Sequence, residues 1–154
     1  MSLTAAEKTT LKAAITGDAT ANAFPNTGDG NFDLAVYLNT VPAAPTSVWR
    51  ADIDPAEIGG AVVMADFIAL TAVKQNGLIL LTQGSRVDAS QANVRTGFSS
   101  TFGAGATLTA LTALAQRAGT RFEVIFSSAA GAANVSTKFN VKVTATDVAD
   151  ARNS

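Results

Sequence analysis

Helix starts punctuate this sequence and set its fold class. Thr4 stands three residues ahead of Glu7, a spacing in which each side chain satisfies the other's backbone N–H at the first turn of a helix. That helix is expected to run to about Thr16, with Leu11, Ala14 and Ile15 facing inward and Gly17 as its stop. Asp54, Pro55 and Glu57 repeat the pattern, with proline suited to the first helical position. Asp88-Ala89-Ser90-Gln91 is a third start, opening a helix to about Phe102 with Val94, Phe98 and Phe102 on one face. Thr146-Asp147-Val148-Ala149 is a weaker fourth.

The clearest periodic segment runs from about Thr107 to Ser127. There Leu108, Leu111, Leu114, Ala115, Ala118, Phe122, Ile125 and Phe126 form an apolar stripe, interrupted by Gly119. Residues 61–83 are apolar on most sides. They read either as a buried helix or as a helix to Gln75, a turn at Asn76-Gly77 and a strand over 78–82; length favours the helix. In 138–144, "KFNVKVT", Phe139, Val141 and Val143 alternate with polar residues and predict a strand that needs a partner. The prolines of 40–47, "TVPAAPTS", predict an extended arm, and the small residues of 127–137 a flexible loop. The expected fold is therefore mainly α: a single domain over 1–154, built as a bundle of about five helices with a short β element near the C-terminus.

Composition narrows the chemistry. The chain has no histidine and no cysteine, which removes Ser-His-Asp arrangements, thiolate nucleophiles and the commonest metal ligands. Net charge is −1 without a basic cluster, against a dedicated nucleic-acid binder or a polybasic membrane-surface protein. The N-terminal stretch lacks the continuous apolar core of a signal peptide, and the most apolar run, 78–81, is far too short to span a bilayer. A soluble product made in the cytoplasm is expected.

Five stretches invite a chemical reading. "PNTGDGNFD" at 25–33 has the look of a calcium loop. With Gly30 at the sixth position, however, Pro25 takes the first and Val36 the twelfth; with Gly28 there, Leu34 takes the twelfth. Neither register supplies the ligands. The better reading is a turn, with Asp29 or Asn31 capping a helix that begins near Phe32. "GAGATL" at 103–108 lacks the Lys-Ser/Thr of a phosphate loop and the third glycine of a dinucleotide loop, and reads as a helix connection. Arg117 and Arg121, four apart on one expected helix, form with Arg95 either an anion site or a solvated or intersubunit face, the latter being favoured. Asp52 and Asp54 offer a carboxylate pair, but Asp54 is already committed as a cap. Trp49-Arg50 after the proline arm is an anchor in a core or an interface. No catalytic, cofactor-binding or metal-binding residue emerges. The candidate interface residues are Trp49, Arg50, Arg95, Arg117, Arg121, Phe139, Val141 and Val143.

Taken in order, "LTAAEKTTLKAAI", "FPNTGDGNFDLAVYLN", "VWR", "DASQANVRTGF", "ALAQRAGTRFEVIF" and "VTATDVADARN" resemble a family of small proteins of tailed bacteriophages and prophages, from late virion-morphogenesis gene clusters. The similarity spans nearly the whole chain. Residues 59–84 are more apolar than the charged, aromatic helix associated with that region of the family. The resemblance implies a location, the phage particle or its assembly line, and carries no catalytic residue with it. A non-enzymatic virion protein is the leading expectation: a tail or head–tail junction subunit, homo-oligomeric and packed against portal, tail or capsid proteins. The alternatives are a capsid decoration protein, an assembly factor that leaves the particle, and a small enzyme using Asp52, Asp54 and Glu57.

Overall fold

The fold was obtained as a computed structural model that describes residues 2–128, 134–135, 139 and 141–154. The chain divides into two compact units. The first joins Met1–Thr46 to Ala118–Ser154, and the second is the segment Ser47–Arg117 between them.

The first unit is built on α1 (Ala5–Gly17), α2 (Ala19–Asn22), α3 (Gly28–Leu38), α9 (Arg121–Ile125) and α10 (Ala145–Arg152). Its caps explain its boundaries. Thr4 and Glu7 close the expected box at the start of α1. Asp18 ends α1 and at once caps α2, accepting from the N–H groups of Thr20 and Ala21. Leu11 and Ile15 of α1 are buried with Ala21, Leu34, Leu38, Val148 and Ala151. Phe122 is fully buried beside Phe139, and Phe139 stacks on Phe126 with ring centroids 4.2 Å apart. A short antiparallel pair, β3 (Ser127–Ser128) with β4 (Asn134–Val135), follows α9.

The second unit contains β1 (Ser47–Trp49), α4 (Pro55–Ala61), α5 (Met64–Ile68), α6 (Ala72–Thr82), α7 (Ala92–Phe102) and α8 (Ala106–Leu114). The chain leaves it along β2 (Gln116–Ala118), which pairs with β1. Its core is Ile53, Ile58, Leu78, Val87, Ala89, Phe98, Leu111 and Ala115, with Val94, Phe102, Leu108 and Leu114 packed around them. Ile53 and Val87 exchange backbone hydrogen bonds of 3.1 and 2.8 Å in an isolated antiparallel bridge. The Asp54–Glu57 box forms as expected. The face of Val94, Phe98 and Phe102 also points to the core as its spacing requires.

The mainly α character holds, but the count of about five helices does not: the described residues carry ten helical segments of 4 to 13 residues. The stripe over 107–127 is cut after Leu114, because the chain turns into β2 and restarts at Thr120. The Thr120 side chain and Glu123 form a capping box for α9. Residues 61–83 are helical, yet broken at Val62-Val63 and again at 69–71, and 78–82 is helix rather than strand.

Three starts shift. α3 begins at Gly28 with Thr27 as its cap, instead of near Phe32 under Asp29 or Asn31. Gly30 fits there because a Cβ would lie 2.1 Å from the Pro25 carbonyl oxygen. α7 begins at Ala92, four residues after Asp88, whose carboxylate instead accepts from the Ser90 N–H and hydroxyl in the preceding turn. α10 is capped by Thr144 with Asp147, two residues ahead of the expected start.

The strand expected over 138–144 is not formed among its described members. Phe139 and 141–144 carry no strand, and the β pair sits earlier, Ser127–Ser128 with Asn134–Val135. Val143 instead engages Asn39. Its N–H donates to Asn39 Oδ1 at 2.9 Å and its carbonyl accepts from Asn39 Nδ2 at 2.8 Å, so a side-chain amide takes the bonds a neighbouring strand would have made. Lys138 and Asn140, and most of the expected loop 127–137, lie outside the described residues.

Candidate functional site

The carboxylates singled out as a possible catalytic pair are engaged in structural bonds. Asp54 caps α4 through the Ala56 N–H at 2.7 Å. Glu57 takes both guanidinium ends of Arg50, at 3.0 and 2.9 Å. Arg50 also reaches Asp52 at 3.5 Å, and Asp52 lies 3.9 Å from Arg86. The Arg50 guanidinium, followed by the Asp54 N–H, holds the Glu57 carboxyl below its ordinary range. The same bonds, donated by Arg50 to the Glu57 carboxylate, raise Arg50. The cluster pins the β1–α4 connection, with Arg50 N–H bonded to the Ala115 carbonyl at 2.8 Å.

The remaining candidate residues take separate places. Trp49 is half-buried beside the core of the second unit, with the Arg95 guanidinium 4.9 Å from its ring centroid. Arg95 also donates to the carbonyls of Ala89 and Ser90, so it closes the turn ahead of α7. Arg117 lies in β2 and Arg121 at the first position of α9; they do not share a helix face. Phe139 and Val143 are buried within the first unit, whereas Val141 is half exposed. Of "GAGATL", Gly103–Gly105 connects α7 to α8 and the rest opens α8; Gly103 takes a positive φ of 61° to end α7.

Two features escaped the sequence. The first is the surface of α5 and α6. Met64, Ile68, Val73 and Leu80 are 65, 70, 81 and 72% exposed, and Ile79 is exposed beside them in sequence. Of the eleven residues of α6, only Leu78 is buried. Met64 and Ile68 are four apart and Val73 and Leu80 seven apart, so each pair shares a helix face. A sequence apolar on most sides predicted burial, and no periodic polar face marked these residues as exposed. An apolar groove of about 210 Å³ between α4, α5 and α6 adjoins them, with Ile58, Val62, Phe67 and Ile79 in its walls.

The second is a cleft of about 360 Å³ in the first unit, between α1, α9 and the end of α3. Its walls include Ala14, Leu38, Pro42, Val124 and Ile125, and its polar groups are Asp18 and Arg121. Tyr37 holds both. Its hydroxyl donates to Asp18 Oδ2 at 2.9 Å, and the Arg121 guanidinium lies 4.2 Å above its ring. Arg121 is further tied to Thr40 through Nη1 and through its backbone N–H. The Ala21 N–H is the largest influence keeping Asp18 below its ordinary value, with Tyr37, Thr20 and Arg121 adding to it against partial burial.

Among the described residues no group of acidic side chains is arranged to hold a metal ion, and no helix is long and apolar enough to cross a membrane. No family model, no curated protein and no solved structure matches the chain.

Proposed function

We propose that this chain is a non-enzymatic structural subunit of a tailed-phage particle, placed at the tail or the head–tail junction and acting by packing against neighbouring proteins. The observation that carries the reading is the apolar surface of α5 and α6, where four large side chains stand at least 65% exposed on two adjacent helices. Scattered apolar residues are ordinary on a surface, but such a concentration on a helix that buries one side chain is what a packing face looks like. The acidic residues that an enzyme would use are held as caps and ion pairs. The resemblance of the sequence to late-cluster phage proteins supports that location. The mainly helical fold favours an adaptor over a decoration protein, for which a β-rich fold is expected.

The test is the copy number of the chain in purified particles, by quantitative mass spectrometry against the major capsid protein. A small count matching the rotational symmetry of the tail supports the adaptor. A count near that of the capsid protein replaces it with a decoration protein, and absence from the particle overturns the structural role.

A further inference from the structure

The cleft between α1, α9 and the end of α3 differs in kind from the open apolar face of α5 and α6, because it combines apolar walls with one acceptor and one donor in fixed positions. The acceptor is Asp18. Its Oδ1 takes the N–H groups of Thr20 and Ala21 at 2.9 and 3.1 Å, and its Oδ2 takes the Tyr37 hydroxyl. A carboxylate oxygen accepts two hydrogen bonds, so one site remains on Oδ2. The donor is Arg121. Nη1 is committed to Thr40, and Nε and Nη2 hold no bond among the described residues. Tyr37 fixes both groups, so neither needs to be ordered when a ligand arrives.

The charges decide the class of ligand. An anion drawn to Arg121 meets Asp18, and a cation drawn to Asp18 meets Arg121. A neutral group with an N–H and a carbonyl satisfies both, and the peptide unit is such a group. The cleft volume of about 360 Å³ falls at the small end of ligand pockets, about 300–1,000 Å³. We infer that this cleft seats an aliphatic side chain of a partner polypeptide together with its own peptide group, the N–H donating to Asp18 and the carbonyl accepting from Arg121. This rests on the packing role above only in taking the ligand to be a polypeptide, and it is tested without the particle.

The probe is N-acetyl-leucine methylamide, titrated into the isotope-labelled full chain and followed by NMR. Saturable shifts are expected at the amides of Ala14, Gly17 and Val124 and at the Arg121 Nε–H, with N-acetyl-leucine, which ends in a carboxylate, binding several-fold more weakly. Gly17→Leu is the blocking variant: Gly17 lines the cleft, and a Cβ there meets no atom within 4 Å. It should abolish the shifts while leaving the rest of the spectrum in place, and Ala14→Leu is a second filler for the same readout. Absence of saturable shifts up to ~50 mM, equal binding of the carboxylate, or undiminished binding by both fillers overturns the assignment.

Discussion

Arg152 donates to Asn31 Oδ1 at 2.9 Å across 121 positions of sequence. The same guanidinium reaches the carbonyls of Pro25 and Phe24 at 3.0 and 2.6 Å, so the last turn of α10 clamps the turn that opens α3. Arg152→Ala should cost about 2–3 kcal/mol, since it strips partners from three acceptors, the bonds to Asn31 and Phe24 being partly buried. Lys8→Ala, which removes the exposed pair with Asp150, should cost below about 1 kcal/mol. Urea denaturation of the two variants beside the parent checks the contrast, and equal losses would refute it.

Two glycines should respond in opposite directions. Gly30→Ala drives a methyl into the Pro25 carbonyl, and a loss of about 3 kcal/mol or failure to fold is expected. Gly77 sits inside α6 with open space around its missing Cβ, so Gly77→Ala should gain about 0.5–1 kcal/mol. Thermal melts rank the three proteins; a destabilised Gly77→Ala would mean that α6 is not helical there.

Thr107 is fully buried and joins two elements of the second unit. Its hydroxyl accepts from the Val63 N–H at 3.0 Å and donates to Asp66 Oδ2 at 2.6 Å. Thr107→Val keeps the shape but leaves the Val63 N–H unmatched and Asp66 Oδ2 with only the backbone N–H of residue 107, at 3.3 Å, at a cost of about 2 kcal/mol. Hydrogen exchange at the Val63 amide should accelerate in the same variant.

The depressed carboxyl of Asp18 fixes the sign of a pH effect. A group whose folded pKa lies below its unfolded value stabilises the fold above that unfolded value, 3.8 for Asp18. The contribution disappears as pH falls through the folded value. Asn caps a helix as well as Asp does, so Asp18→Asn should fold. Between pH 7 and pH 3 the urea midpoint of the parent should fall further than that of the variant. Parallel curves would show that Asp18 contributes nothing to acid sensitivity.

The two complete boxes written as Thr4…Glu7 and Asp54…Glu57 were legible in the sequence, because each cap and its partner are local. Thr120…Glu123 is the same box, but it sits inside an apolar stripe that continues on both sides, and the stripe masked the break. Thr144…Asp147 was hidden behind the alternating "KFNVKVT", whose buried Phe139 and Val143 fit a core without any ladder. The exposed face of α5 and α6 was illegible for a different reason: apolar residues on most sides of a segment signal burial, and only the packing reveals which of them this chain leaves uncovered. The Asp18–Tyr37–Arg121 arrangement joins residues from α2's cap, α3 and α9, and no local pattern announces it.

The Gly119 N–H donates to the Thr46 carbonyl at 2.9 Å, closing the first unit at the two points where the chain departs and returns. To that unit, everything in Ser47–Arg117 is a single excursion whose ends are already tied. Lengthening such an excursion changes its closure entropy only logarithmically, so its contents are free to diverge while the clamp of Arg152 on α3 stays unchanged. The apolar segment 59–84, with the exposed side chains of α5 and α6, lies wholly inside the excursion. In polymer terms the first unit is a closed frame, and the contact surface of α5 and α6 belongs to the loop that the frame closes.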